Sequence, residues 1–234
     1  MRNPQAVDAM QIPKIRSLQE VIADRLLLIY FVFRNRRKGN AISGTNFQRQ
    51  VKLQKLLYKS EERMFLDRCK ALNYHFFKWT HGPFSQELYK DVEHLESNEL
   101  LCVTEDELKA TEKSTDLLSH IDEIIMNKDE ILGYFERIIN EFGSYDWNEI
   151  KDILYGYPTI GSMVLIRDVK KGDLILPKLE DSESEKRIII NDDWFETLEI
   201  LFDPHMYHAI VDSINAMKHD RGQPFRPVIR KPQL

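Results

Sequence analysis

The sequence lacks most of the features that mark secreted or membrane proteins. It has two cysteines, Cys69 and Cys102, too few and too far apart for a disulfide framework, which favours a reducing compartment. The longest apolar run, Leu26 to Phe33, is bracketed by arginines and far too short to cross a bilayer. Residues 1–17 contain no apolar segment of a secretory leader. We therefore expect a cytoplasmic protein without membrane contact.

Signatures of catalysis and cofactor binding are also missing. The nine glycines form no phosphate-binding glycine-rich loop. His81, Ser85 and Asp91 could be arranged as a hydrolase triad, but no nucleophile elbow or oxyanion loop accompanies them. His205 and His208 lie three residues apart without a third metal ligand nearby. We therefore expect no enzyme, no metal and no cofactor.

The charge is unevenly distributed. The net charge is -5, yet residues 1–60 contain 12 basic and 3 acidic residues, which gives +9 there and -14 beyond. The basic cluster Arg34, Arg36, Arg37 and Lys38 could contact nucleic acid or could be the solvated end of a helix. A nucleic-acid-binding transcriptional regulator that uses this basic N-terminal region is therefore the alternative function.

The apolar pattern predicts a mainly α fold, with a helical domain that contains a short β element. The predicted helices span about 22–33, 48–72, 86–97, 117–142 with a break near 127–129, 147–154, 192–202 and 204–219. Short strands are predicted at 100–104 and 187–190, and residues 105–114 are too charged to predict another. The expected organisation is a disordered N-terminus (1–17), a helical domain (18–160), a linker or small hairpin (161–187), a strand with two helices (188–222) and a disordered tail (223–234).

One motif combines a helix with a Gly-Pro turn. Its residues are Lys52, Gln54, Lys55 and Tyr58 within KLQKLLY, then Trp79, His81, Gly82, Pro83, Phe84 and Ser85 within WTHGPFS. Glycine can adopt backbone angles closed to other residues, and proline restricts the next step, so a tight turn is expected. The aromatic residues could simply be core, which would leave Gln54, Lys55, His81 and Ser85 as polar candidates at the rim.

The motif resembles the Panacea domain, which has a KLQKLLY-like helix and a tryptophan and Gly-Pro segment about twenty residues later. The resemblance covers about residues 18–159. It implies a mainly helical fold and a role as the antitoxin of a type II toxin–antitoxin system, which neutralises a cognate toxin by direct protein–protein binding.

A second motif, DDWFETLEILFDP at residues 192–204, resembles the C-terminal neutralising segment of prevent-host-death (Phd-type) antitoxins. That resemblance implies a toxin of the RelE/ParE type. The usual DNA-binding half of those antitoxins is missing, which puts autoregulation through DNA in doubt.

The apolar positions of residues 188–222 recur every three or four residues, as on two amphipathic helices. This face could pack on its own domain or could lie in the groove of a partner. The predicted toxin-binding residues are Trp194, Phe195, Leu198, Leu201, Phe202, Met206, Ile210, Ile214 and Met217. The sequence leaves the oligomeric state open.

Overall fold

A computed structural model describes residues 15–219. Within them the fold is mainly α-helical, as predicted. The α-helices are α1 (Leu18–Arg37), α2 (Asn46–Leu66), α3 (Gln86–Ser97), α4 (Glu112–Ser119), α5 (Ile121–Ile124), α6 (Lys128–Phe142), α7 (Trp147–Tyr155), α8 (Asp192–Phe202) and α9 (Pro204–His219). The short strands are β1 (Cys69–Lys70), β2 (Phe76–Trp79), β3 (Gly82–Phe84), β4 (Leu101–Thr104), β5 (Glu107–Ala110), β6 (Leu174–Leu176) and β7 (Lys186–Arg187).

Helix α1 is central because it is apolar on nearly all sides. Eleven of its residues are buried, and α4, α6, α8 and β5 pack around it. A capping box sets its start: Ser17 Oγ accepts the Glu20 N–H, and the Glu20 carboxylate accepts the Ser17 N–H. Gly39 follows the helix with φ at 82°. The predicted buried helix is confirmed. Residues 16 and 17 are fixed by these and other contacts, and the rest of the predicted N-terminal disorder, residues 1–14, lies outside the described residues.

Helix α2 lies against α6, α7 and β3. Thr45 caps it in a second capping box with Gln48. It ends at Leu66, six residues earlier than predicted, because Arg68 takes a left-handed backbone conformation with φ at 51° and the chain then enters β1.

Strands β4 and β5 form an antiparallel hairpin, with Thr104 opposite Glu107. The sequence predicts β4 but not β5, since residues 105–114 are mostly charged. Glu105 and Asp106 both have positive φ values, the geometry of a type I′ turn between antiparallel strands. Leu108 is buried in the core and Ala110 packs against it, so two apolar residues anchor the second strand.

Residues 161–187 are neither a free linker nor a hairpin, contrary to the prediction. β6 pairs antiparallel with β2, which gives a sheet of order β3-β2-β6, and β7 pairs parallel with β1. Ile166 and Leu176 are fully buried. Because β6 and β7 pair with separate strands of the preceding region, this segment fastens the C-terminal part to the helical domain.

The two C-terminal helices have the predicted bounds. Asn191 caps α8 by accepting the Asp193 N–H at 3.2 Å. The Asp203 carboxylate accepts the N–H groups of His205 and Met206, which begins α9. α8 packs on α1 and α9 packs on α8. The predicted tail at 223–234 lies outside the described residues.

Candidate functional site

Gln54 and Ser85 join α2 to the start of α3. Gln54 Nε2 donates to the Ser85 carbonyl at 3.0 Å, and the Ser85 N–H donates to Gln54 Oε1 at 2.8 Å. Ser85 Oγ accepts the Leu88 N–H and thereby caps α3. Both residues are buried. The expectation that they lie at an exposed rim is wrong, because the main-chain groups of the turn need buried partners.

Lys55 lies beside this pair and is only 2% exposed. Its Nζ donates to the Pro83 carbonyl at 2.8 Å. Burial, together with the nearby charges of Lys78 and Lys151, lowers the pKa of Lys55 to about 7. Gly82 has φ at 96°, and a Cβ there would lie 3.2 Å from Lys55 Cε. A larger residue at 82 would therefore strain the backbone and displace the lysine.

Lys52 and Tyr58 also face inward from α2. Lys52 Nζ donates to the carbonyls of Ala41 at 2.7 Å and Gly143 at 2.9 Å, which ties α2 to two loops. Burial lowers the pKa of Lys52 and raises the pKa of Tyr58. The Tyr58 ring meets Phe76 edge-on at 5.4 Å between centroids. These two motif residues support the core.

The exposed part of the motif lines a groove of about 450 Å³. Trp79 and Phe47 are each almost half exposed. The Phe84 ring lies 6.2 Å from Trp79, and His81 meets Phe47 edge-on at 4.8 Å. Partial burial and then the charge of Lys55 lower the pKa of His81. We call this feature the Trp79 groove, and its lining residues include Phe47, Gln50, Lys55, Trp79, His81 and Phe84.

His81, Ser85 and Asp91 are not arranged as a hydrolase triad. Ser85 Oγ is occupied by its helix-capping bond, and no hydrogen bond joins it to His81 among the described residues. The Asp91 carboxylate accepts hydrogen bonds from Arg16, Arg25 and Tyr74 instead. Within residues 15–219, no three His, Cys, Asp or Glu side chains are placed to hold a metal ion.

The apolar face of α8 belongs largely to the core. Leu198 is fully buried and Phe202 is 2% exposed, so neither faces a partner in this structure. Trp194, Phe195 and Leu201 are half-buried against the same core. Two of the nine predicted toxin-contacting residues, Leu198 and Phe202, therefore hold α8 against the core of this chain.

Helix α9 carries an uncovered apolar stripe. Met206, Ile210, Ile214 and Met217 are between 39% and 72% exposed. Their spacing of four, four and three residues places them on one helical face. The Lys113 ammonium lies 3.2 Å from the centre of the Tyr207 ring and holds the first turns of α9 against the domain. The first turns of α9 are therefore held in place, and its apolar stripe lies on the surface.

One protein-family model matches the region around the Gly-Pro turn. Residues 53–158 match the Panacea domain, described as antitoxin SocA-like. The comparisons with curated proteins and with solved structures gave no match. The predicted Panacea resemblance is confirmed for this central region, which is fewer than half of the 234 residues. The resemblance of residues 188–222 to Phd-type antitoxins stays a prediction.

We call residues 53–158 the Panacea region. Its core includes side chains from elements outside the match. Helix α1, strand β6 and helix α8 lie outside residues 53–158, yet their apolar side chains share one core with it. The region and its flanking elements are therefore one folded body within residues 15–219.

A buried ion cluster joins the Panacea region to both ends of this body. Arg16 Nη1 donates to Asp24 and Asp91, at 2.7 Å each, and Arg25 Nε donates to Asp91 at 3.0 Å. Arg25 Nη1 also donates to the Phe202 carbonyl at 2.6 Å, across 177 residues of sequence. Burial raises the pKa of Asp24 to about 7. Sequence reasoning missed this cluster, and its one signal is a pair of charged residues, Asp24 and Arg25, inside the otherwise apolar residues 21–33 of α1.

The basic cluster at the C-terminal end of α1 is mostly paired with carboxylates. Arg34 Nε lies 2.6 Å from Glu136, Arg36 Nε lies 3.3 Å from Glu107, and Lys38 Nζ lies 3.7 Å from Glu136. Paired cations contribute less to a phosphate-binding surface, which weakens the nucleic-acid alternative at this place. None of the helices between residues 15 and 219 is both long and apolar enough to span a membrane.

Proposed function

We propose that the protein is the antitoxin of a type II toxin–antitoxin system and that it neutralises a cognate toxin by direct binding. The Panacea match at residues 53–158 supports the antitoxin class. The observation that carries the binding mode is the uncovered apolar stripe of α9, since a row of large apolar side chains on a soluble helix is what helix-in-groove recognition uses.

The acidic residues that precede the stripe in the sequence favour a basic partner. Asp192, Asp193 and Glu196 on α8 are exposed, so an acidic surface precedes the apolar one. A toxin that acts on RNA or DNA is usually cationic, and complementary charge speeds the encounter and orients the partner. A toxin of the RelE/ParE type fits this surface, and its groove would cover Met206, Ile210, Ile214 and Met217.

The Panacea region serves in this proposal as the platform that presents α9. Leu198 and Phe202 fix α8 to the core, and the Arg25 contact with the Phe202 carbonyl holds the end of α8. An anchored helix loses less conformational freedom on binding than a free one does, which favours affinity.

Co-expression with the toxin candidate encoded beside this gene tests the proposal. A chain cut after Asp203 loses α9 but keeps Leu198 and Phe202 in the core, so it should fold and fail to rescue growth. The full chain should rescue growth and should co-purify with the toxin. Full rescue by residues 1–203 would contradict the role of α9, and failure of the full chain to bind any neighbouring toxin would contradict the antitoxin function.

The alternative, a nucleic-acid-binding regulator, rests on the basic first 60 residues. It predicts a salt-dependent mobility shift of the protein's own promoter DNA. Absence of a shift at low salt would exclude it, whereas a shift without toxin rescue would favour it over the antitoxin function.

A further inference from the structure

The Trp79 groove is a second concave surface, and its lining is unusual in charge. No carboxylate lines it, and neither does any residue of α8 or α9. Its volume, about 450 Å³, lies in the range of small-molecule sites, which are mostly apolar with a few polar groups. The groove is therefore separate from the surface proposed for the toxin.

Lys55 is a buried lysine without a counter-ion. Its ammonium has three N–H donors, and among the described residues it meets one acceptor, the neutral Pro83 carbonyl. A buried charge without a partner of opposite sign is costly to keep. Lys78 and Lys171 do not line the groove, but both lie next to its Trp79 wall. Lys78 Nζ donates to the Trp79 carbonyl at 3.0 Å and lies over the Tyr155 ring, and Lys171 lies over the Trp79 ring. Neither has a carboxylate within 4.0 Å in the described part of the chain. The groove therefore has an excess of positive charge.

The walls of the groove suit a planar ring. Trp79 and Phe47 leave nearly half of their surface open, and aromatic side chains of this kind stack on planar rings without selecting among them. Gln50 Oε1 is shielded from solvent and has no hydrogen-bond donor among the described residues. It is an acceptor for a ring N–H or an amino group.

We propose that the Trp79 groove binds a small organic anion in which a planar aromatic ring carries a phosphate, as in a nucleoside monophosphate. The ring lies against Trp79 and Phe47, and the phosphate is the counter-ion of Lys55. A phosphate dianion offers the Lys55 ammonium more charge and more acceptor oxygens than a single carboxylate does. This site is independent of the proposed toxin binding.

Isothermal titration calorimetry of the full chain with each of the four ribonucleoside 5′-monophosphates tests the proposal. At least one should bind, and the matching nucleoside and inorganic phosphate should each bind at least tenfold more weakly, because each lacks one half of the ligand. Binding of a 5′-phosphorylated oligonucleotide without binding of any monophosphate would overturn the small-molecule assignment, as would equal binding of nucleoside and nucleotide.

Two variants probe the two halves of the site. Lys55→Met removes the ammonium group, and Trp79→Ala removes a stacking surface that is almost half exposed. Each should weaken nucleotide binding about tenfold or more. The matched control is Lys113→Met, which removes a lysine that also covers an aromatic ring but does not line the groove, and it should bind like the unaltered chain. If Lys55→Met does not fold, Trp79→Ala decides, and unchanged binding by Trp79→Ala would overturn the proposal.

Discussion

Replacing Phe202 with alanine should destabilise the whole folded body by about 3 to 5 kcal/mol. Phe202 is 2% exposed and belongs to the same core as α1 and the Panacea region. Its removal leaves an apolar cavity that the surrounding helices fill only partly. A loss of this size is a large share of the roughly 5 to 15 kcal/mol by which domains are usually stable.

The main-chain contacts at the end of α8 survive this substitution. Arg25 Nη1 bonds the carbonyl of residue 202, and Asn98 Nδ2 bonds the Leu201 carbonyl at 3.0 Å. The effect therefore isolates the side chain. Urea denaturation followed by far-UV circular dichroism and by tryptophan fluorescence measures it. Trp79 and Trp147 are replaced by phenylalanine in the parent chain and in both variants, so that the fluorescence comes from Trp194 on α8 alone. Both signals should shift together.

The control is Ile210→Ala on α9, which removes an exposed side chain and should change the free energy of unfolding by less than about 1 kcal/mol. Equal losses from the two variants would refute the distinction between a packed α8 and an open α9. If Phe202→Ala moved only the fluorescence transition, α8 would unfold on its own and would not share the core.

Three further predictions concern the motif helix and its turn. The pKa of Lys55 is near 7 in the folded chain and near 10.5 in the unfolded chain, so the folded chain binds fewer protons between these two pH values. The free energy of unfolding, compared with that of Lys55→Met, should therefore rise from pH 7 upward by up to about 1.4 kcal/mol per pH unit, as measured by urea titration. Gln54→Leu leaves two buried main-chain groups without hydrogen-bond partners and should lower the free energy of unfolding by about 2 to 4 kcal/mol. Its control, Gln50→Leu, removes an oxygen that has no partner among the described residues and should lower the free energy of unfolding by less than about 1 kcal/mol. Gly82→Ala should lower the melting temperature more than Gly161→Ala, since both have positive φ but only Gly82 has close neighbours, and equal losses would count against the steric role of Lys55.

Much of the helical fold follows from local sequence signals. The caps at Ser85 and Asn191 and the Asp-Pro start of α9 depend on groups only a few residues apart, so pattern and capping rules predict those helices well. β5 and β6 could not be predicted in the same way. β5 depends on Leu108 and Ala110 and on a turn with two left-handed residues, and β6 depends on pairing with β2 nearly a hundred residues earlier.

The sequence predicted which residues belong to the candidate site, but it did not predict which of them are buried. The sequence singles out Gln54, Lys55 and Ser85, but their burial follows from main-chain groups of the turn that only the folded chain brings together. The apolar period of residues 192–217 is the same on both C-terminal helices. Only the packing of α8 against α1 separates the buried Leu198 from the open Ile214.

The most direct test of the central claim is toxin binding by a full-length chain with Ile210→Asp and Ile214→Asp. These exposed positions lie on the apolar face, so the variant should keep its melting temperature and should lose toxin binding by a hundredfold or more, an order of magnitude expected when central anchors are replaced by charges. The matched control, His208→Asp with Asn215→Asp, adds two aspartates on the opposite face and should bind normally. Full toxin binding and neutralisation by the Ile210→Asp, Ile214→Asp chain would contradict the account.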